Sequence, residues 1–524
     1  MRRLAVIAVL AAALAAGGTA TSATAEAPHA QGQLLRVMSL NIFYGGDQMN
    51  LKTHDWCRKA RKGCRRTLEQ VADVIRASKA DVVGIQEPET NTPVLARKLG
   101  WFVSERLSVI SRYPLIDPPS GRGLFVYVQL APGRVVAIAN THLPSDPYGP
   151  YAVRDGATKS QVLRLERSLR MPKIRPFLNA LPAVAATGVP VFLTGDFNSP
   201  SHLDWTKAVA ARRGVVRYPV RWPVAAALAR AGLRDSYREA HPNPVATPGF
   251  TWTPGGVESV PNEVHDRIDW VLTSGSAVTV SSTVVGEPGA PNVGIAVGPY
   301  PSDHRGVVST FRVHPASPPA FSAVDRRNQT IGQPLRVRFH GPDGASLALV
   351  PAGRGTDAAV AWRSPGIRTG STWFGTGHLH SRPYDALLVS DTGAALSRSR
   401  SWLHRAGEPA HIDTSKRSYE RGEPITVSWS NAPGSHWDWV GLFRARDGKV
   451  PNAFHLCKAG TCGNGNYWAY EYTRTMPDGT MRLGPGAEYI EWPVAPGRWE
   501  VRLLLDDGYT SIAVSRPFVV SRGA

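Results

Sequence analysis

Short apolar runs and amphipathic stretches alternate along the first three-fifths of the chain. Leu34 to Leu40 reads as a strand. Thr67 to Lys79 reads as a helix, with Leu68, Val71, Ala72 and Ile75 on one face and Thr67 with Gln70 as a capping box. Asp81 to Ile85 is a buried strand, and further strands are expected at Leu124–Leu130, Val135–Ala139, Pro190–Thr194 and Ile268–Leu272. Strands alternating with helices predict an α/β unit. After Ala316 the pattern becomes short alternating strands broken by Gly, Pro and Ser, which predicts β-sandwiches. An internal repeat points to two of them. Gly332–Phe339 matches Gly422–Trp429, and Asp385–Gly393 resembles Glu500–Gly508, the offset widening from 90 to 115 residues. The expected segments are an α/β unit over 33–314 and sandwiches over 318–406 and 409–524, in keeping with about three domains for 524 residues.

The N-terminus changes the compartment. Arg2 and Arg3 precede an apolar run of thirteen residues, Leu4 to Ala16, and Ala23-Thr24-Ala25 has the form of a cleavage site. The run is too short to span a bilayer, so residues 1–25 are expected to be a signal peptide and the protein to be secreted. No later stretch has eighteen consecutive apolar residues, so no stable membrane insertion is expected. The cysteines fall in two close pairs, Cys57 with Cys64 and Cys457 with Cys462, which suggests two small disulfide loops. Neither pair has the C-x-x-C spacing of a zinc site. The net charge is +19, which favours polyanionic partners, although many secreted proteins are simply basic. One cluster is sharper: Lys52 to Arg66 holds seven basic residues and one acid, Asp55.

Five polar clusters are expected at or just beyond the C-terminal ends of the apolar strands, namely Asn41, Glu87, Asn140-Thr141-His142, Gly195-Asp196-Phe197-Asn198, and Asp269 within Asp266-Arg267-Ile268-Asp269-Trp270, and a sixth, Ser302-Asp303-His304, lies in a loop. Each alone has an ordinary reading as a turn, a cap, a core histidine or a local ion pair. Together they would rim one edge of a sheet with carboxylates, amides and imidazoles and no thiolate. Hard oxygen donors select Mg²⁺, Mn²⁺ or Ca²⁺ over zinc. Phosphoester hydrolysis uses those parts: a cation for the phosphate charge, a carboxylate to activate water, and donors for the equatorial oxygens.

Seven motifs in order carry a resemblance: Ser39-Leu40-Asn41, Gly84-Ile85-Gln86-Glu87, Ser111-Arg112-Tyr113-Pro114, Asn140-Thr141-His142-Leu143, Gly195 to Ser199, Arg267-Ile268-Asp269-Trp270, and Ser302-Asp303-His304. In these the chain resembles the endonuclease/exonuclease/phosphatase superfamily, typified by deoxyribonuclease I-like enzymes, over about 33–314. The resemblance implies a four-layer α/β/β/α sandwich, here followed by two small all-β sandwich domains. It implies Glu87 as the principal metal ligand with Asn41 assisting, and Asp303 near the metal or supporting the nucleophile. Asp196 would orient and deprotonate the attacking water, and Asn198 would hold that water or a phosphate oxygen. His304, oriented by Asp269, would contact the phosphate, and His142 the phosphate or the leaving-group side. The expected cofactor is Mg²⁺, with Mn²⁺ or Ca²⁺ as alternatives.

The leading reading is therefore a metal-dependent phosphodiesterase acting on nucleic acid. A sphingomyelinase or phospholipase C-type head-group hydrolase, a sugar or inositol phosphomonoesterase, and a degenerate binding protein are the alternatives. Asp438–Phe443 is similar to a strand motif in β-sandwiches attached to other secreted or membrane-recruited phosphatases. The C-terminal domains are accordingly candidates for binding a surface or polymer.

Overall fold

The computed structural model describes residues 32–52, 64–254, 262–435, 437–445, 467–474, 476–485, 488–489, 492–505 and 511–522. Six strands and a helix organise the α/β unit: β1 (Gln33–Asn41), α1 (Arg65–Ser78), β2 (Val82–Gln86), β3 (Arg134–His142), β4 (Val191–Asp196), β5 (Asp269–Ser274) and β6 (Gly306–Val313). One seven-stranded sheet has β6, β1 and β2 at its centre. A six-stranded sheet has β3, β4 and β5 at its centre. β1 runs parallel to β2 and β3 parallel to β4, whereas β5 and β6 are antiparallel to β4 and β1.

Three apolar cores separate four layers. Leu68, Val71 and Ile75 of α1 pack on Met38, Leu40, Val83 and Ile85 on the outer face of the first sheet. Between the sheets lie Leu35, Val37 and Val82 against Val136, Ile138, Phe192 and Val271. Helices Met171–Ala186 and Pro223–Arg230 cover the second sheet through Ile174, Phe177, Leu181, Val224 and Leu228. The four-layer α/β/β/α arrangement expected from the sequence is therefore present.

Successive residues of a strand point to opposite faces, so the inward face of each central strand can be read off in steps of two. β1 gives Leu35, Val37, Ser39, Asn41; β3 gives Val136, Ile138, Asn140, His142; β4 gives Phe192, Thr194, Asp196. Each series passes from apolar to polar toward the same edge. In the transition layer Gln86 donates to Asn140 Oδ1 at 2.6 Å, Thr194 Oγ1 donates to the same oxygen at 3.0 Å, and Ser39 Oγ accepts from the Gly195 amide at 3.0 Å. These four side chains are fully buried and tie one sheet to the other. Gly84 makes the approach feasible: a Cβ there would stand 1.9 Å from Thr194 Oγ1 and 2.6 Å from Asn140 Oδ1.

Beyond Val313 the chain forms two sheet-on-sheet sandwiches. In the first, Val337 and Phe339 of a three-stranded sheet face Leu347, Ala386 and Leu388 of a five-stranded one. In the second, Val427 and Trp429 face a larger sheet built on β7 (Trp439–Arg444), β8 (Tyr467–Tyr472) and β9 (Gly497–Leu504). The repeated segments occupy equivalent strands, Leu335–His340 with Ile425–Ser430 and Arg382–Val389 with β9. The first sandwich joins the α/β unit through Phe321, which packs on Tyr127 at 5.9 Å. Among the described residues no helix is long and apolar enough to cross a membrane.

Two local expectations are corrected. α1 begins at Arg65 after an N-cap at Cys64, so Thr67 lies inside the helix and makes no capping box; its hydroxyl donates to the Met49 carbonyl at 2.6 Å. Asp269 stands at the start of its strand, and reaches the same edge as the other polar ends because β5 runs antiparallel. The disulfide expectations involve Cys57, Cys457 and Cys462, which lie outside the described residues, as do the signal peptide and most of the Lys52–Arg66 cluster.

The tight passage at Gly84 gives a direct test. Gly84→Ala should lower the unfolding free energy by about 1–3 kcal/mol, the usual cost of overpacking a well-packed core. Denaturant unfolding checks it; a loss under about 0.5 kcal/mol, the range of neutral substitutions, would show that the sheets part easily there.

Candidate active site

The polar ends of the central strands converge in one cleft of about 360 Å³, lined by Glu87, His142, Asp196, Asn198, Asp303 and His304 among others. Sheet register sets the first row: His142 pairs with Asp196, and Asp196 with Asp269, across β3, β4 and β5. Asn41, at the end of β1, faces this row from the other sheet. Its amide nitrogen donates to Asp196 Oδ2 at 3.1 Å and to Glu87 Oε1 at 3.0 Å, so one side chain spans both carboxylates.

Glu87 follows β2 in the left-handed region, at φ 53°. That conformation is uncommon for a non-glycine residue and persists where neighbours over-determine it. Here the Tyr44 amide donates to Oε2 at 2.9 Å, and the Gly45 amide donates to the Glu87 carbonyl at 2.7 Å. Asn198, at φ 46°, is fixed similarly: its amide nitrogen donates to the Leu143 carbonyl at 2.9 Å and its backbone N–H to Asp196 Oδ1 at 2.9 Å. Asn198 lines the cleft.

Asp269, His304 and Asp196 form a buried relay. His304 Nδ1 is 2.9 Å from Asp269 Oδ2, and its Nε2 is 3.6 Å from Asp196 Oδ2. Thr251 Oγ1 accepts the Asp269 amide at 3.1 Å, and the Trp252 ring packs on the imidazole at 4.9 Å. Burial works against a charged His304, but Asp269 and Asp196 outweigh it and hold the imidazole well above its ordinary value. Burial pushes the Asp196 carboxyl up to about 6, with His304 opposing the rise. His142 Nε2 stands 3.6 Å from Asp196 Oδ2 and 4.0 Å from Glu87 Oε1.

Ser302 donates to the Asn41 carbonyl at 2.7 Å and accepts the His304 amide at 3.1 Å, which pins the 302–304 loop beside β1. Asp303 thereby enters the cleft, and burial pushes its carboxyl up to about 7, His304 opposing the rise and the Glu87 carboxylate adding to it. Asp303 Oδ1 is buried and accepts no hydrogen bond among the described residues. A buried carboxyl that a neighbouring carboxylate makes harder to ionise, with one oxygen left open, suits a divalent cation. The ligand atoms of Asp196, Asp269 and His304 also lie within 4.8 Å of one another. Glu87 and Asp303 offer a second, all-oxygen pair that could hold a hard cation.

All eight expected site residues therefore fall within one edge of the fold, but not every motif serves the cleft. Asn140 belongs to the inter-sheet layer beneath it, and Ser111 accepts the Tyr113 amide at 2.9 Å in a turn. Sequence reasoning gave Asp266, within the Asp269 cluster, no role. Burial pushes it up to about 7, against Arg213, and it accepts Trp205 Nε1 at 2.9 Å and the Tyr148 hydroxyl at 3.3 Å, fixing a wall of the cleft. It missed too that Trp439, Tyr467, Tyr470 and Tyr472 line the same cleft from the second sandwich. The aromatic run Tyr467-Trp468-Ala469-Tyr470-Glu471-Tyr472 was the available signal.

The relay predicts its own titration. In Asp269→Asn the His304 imidazole should fall back toward the ordinary value of about 6.5, read by NMR. Because the native value is raised, its stabilising contribution is complete below about pH 6.5 and lost as pH rises through the native value; the variant should lose that pH dependence. An unmoved titration would assign the shift to Asp196 instead.

The Endonuclease/Exonuclease/phosphatase family model matches residues 38–304. An uncharacterized protein of Caenorhabditis elegans is 31% identical over 270 residues, covering 46% of this chain and 85% of that protein. Among solved structures, an endonuclease/exonuclease/phosphatase from Beutenbergia cavernae aligns with 19% identity and a TM-score of 0.33 over 71% of this chain and 100% of its own. An AP endonuclease from Archaeoglobus fulgidus aligns with 16% identity and a TM-score of 0.34 over 53% of this chain and 100% of its own. With the family match running from Met38 through His304, a span that holds every residue of the cleft's polar rim, the chain belongs to the endonuclease/exonuclease/phosphatase family of phosphoesterases.

Proposed function

We propose that the protein is a secreted, divalent-metal-dependent phosphodiesterase that hydrolyses nucleic acid, with 33–314 as the catalytic domain and the sandwiches over 318–406 and 409–524 as separate domains. The observation that carries the catalytic reading is the convergence on Asp196 of Asn41, His142 and His304 at 3.1–3.6 Å. Glu87 and Asp303, with Asn41 assisting, would hold the cation, which supplies charge neutralisation and Lewis acidity to the phosphate when bound.

The chain's own groups divide the remaining work. Asp196 takes the proton of the attacking water. Its raised carboxyl brings its basicity closer to neutral pH than an exposed aspartate's. Asn41 fixes its orientation from one side, and the Asn198 side-chain oxygen orients the water from the other. His304, kept protonated by Asp269, neutralises an equatorial phosphate oxygen. His142 donates to the phosphate on the leaving-group side. The nucleic-acid reading rests on charge: +19 overall, with seven basic residues between Lys52 and Arg66, following the strand that carries Asn41. The export reading rests on the N-terminal segment.

In Mg²⁺, Asp196→Asn should lower kcat by at least about a hundredfold, the contribution of general-base help, with KM little changed, while chelator should silence the wild type. Near-wild-type turnover of the variant would remove Asp196 from that role, and full activity in excess chelator would remove the metal.

Substrate class has a separate test. Replacing Arg58, Lys59, Arg61 and Lys62 with serine should weaken DNA or RNA binding and flatten its salt dependence, since each phosphate contact releases about one counterion. Hydrolysis of a small phosphodiester should be spared. Polymer cleavage that ignores salt would favour a small phosphate ester as substrate.

A further inference from the structure

One wall of the catalytic cleft comes from the far end of the chain. β7 and β8 pair antiparallel, with Trp439 opposite Tyr472 and Gly441 opposite Tyr470. Val440, Leu442 and Ala469 point into the sandwich core. The alternate positions Trp439, Phe443, Tyr467, Tyr470 and Tyr472 gather on the outer face. A register shift between Leu442 and Phe443 adds one residue to β8. Trp468 and Ala469 both turn toward the core there, and Trp468 meets Trp499 edge-on at 5.5 Å. The bulge returns Tyr467 to the outer face, so three tyrosines occupy it within six positions. Gly441 lets the neighbouring rings fold inward, since a Cβ there would stand 2.6 Å from both Trp439 and Phe443.

The outer face of an antiparallel sheet is ordinarily polar. This one is aromatic and looks into the cleft that holds Glu87, Asp196 and His304. A simple packing surface between the sandwich and the α/β unit is the competing account, and part of the face does serve that end. Lys173 lies over the Tyr472 ring at 5.8 Å and pairs with Glu471 at 3.6 Å, while Trp437 meets His142 at 6.4 Å. Tyr467 and Tyr470, 5.2 Å apart and set against Trp439, lie along the cleft beyond that seam and remain half-buried.

We propose that Tyr467 and Tyr470, backed by Trp439, form a stacking wall for a nucleobase beside the scissile phosphate. The second sandwich is thereby part of the substrate site. This rests on the nucleic-acid reading above. Base–aromatic stacking needs only a π face and tolerates any base. Among the described side chains of the wall, Glu471 pairs with Lys173 and Glu500 with Arg502. A base inside a duplex cannot offer its face to such a wall, so the nucleotide at the cut is unpaired.

The test uses the full chain in Mg²⁺ and two oligomers of equal length, a single-stranded oligonucleotide and its abasic counterpart. Wild type should show a KM about tenfold lower for the base-bearing strand, within the range of one stacked base. Tyr467→Leu with Tyr470→Leu should raise that KM to the abasic level, leave kcat, and leave both constants for the abasic strand unchanged. Tyr467→Phe with Tyr470→Phe should restore the wild-type preference. Equal losses on both strands, or a wild type indifferent to bases, would overturn the stacking wall while leaving the nuclease reading intact. Cleavage of neither strand, alongside hydrolysis of a sugar phosphate or a choline phosphodiester, would retire both.

Discussion

The site depends on how closely two sheets can be held together at one edge. Through most of their length they are separated by aliphatic side chains, but at Ser39, Gln86, Asn140 and Thr194 the spacer becomes a hydrogen-bonded polar layer. A buried polar group is tolerable only when its partners are all present. These four therefore accept few relative positions of the sheets, and Gly84 removes the atom that would force them apart. One residue further along each strand-face stand Asn41, His142 and Asp196. The 3.1 Å bond from Asn41 to Asp196 crosses between sheets, and it exists because the layer beneath fixes that distance.

Above that layer the electrostatics are deliberately unbalanced. Glu87, Asp196, Asp269 and Asp303 share a small, largely buried volume with two histidines. Asp269 settles its charge on His304, and that pairing explains why the imidazole resists losing its proton despite burial. The same cationic ring restrains the rise of Asp196. Glu87 adds to the cost of ionising Asp303 even though His304 opposes it, and that excess of negative charge is what a divalent ion would cancel. Backbone donors at Tyr44 hold Glu87 in place without neutralising it, so orientation and charge are handled by different groups.

Much of this was legible in the sequence. The change from apolar to polar at every second residue of β1, β3 and β4 is a local signal for Asn41, His142 and Asp196, while the other five candidates were reached through the polar clusters and the motifs that resemble the superfamily. What failed were inferences needing three dimensions. Thr67 and Gln70 have capping-box spacing, yet the helix starts earlier and the Met49 carbonyl takes the hydroxyl. Asn140 looks like a site residue beside His142, but it points into the layer below, two residues back on the same face. Asp266 carries no role in the sequence, and its burial and the Trp205 and Tyr148 donors are what give it one. The contribution of β8 was hidden by sequence distance of over 300 residues from His142.

That distance reflects what the α/β unit lacks. Strand ends supply carboxylates, imidazoles and amides, but three of the aromatic rings the unit itself places around the cleft are already committed. Trp252 packs on His304, Tyr148 donates to Asp266, and Tyr151 donates to Glu263 at 2.7 Å. Repurposing any of them would loosen the relay or the wall it supports. On the stacking proposal, a sheet face of the second sandwich provides an aromatic partner for the uncharged part of a substrate without disturbing these contacts. The bulge in β8 does so at the expense of one residue's pairing, turning a strand that would otherwise alternate evenly into one whose tyrosines collect on the side of the phosphate chemistry.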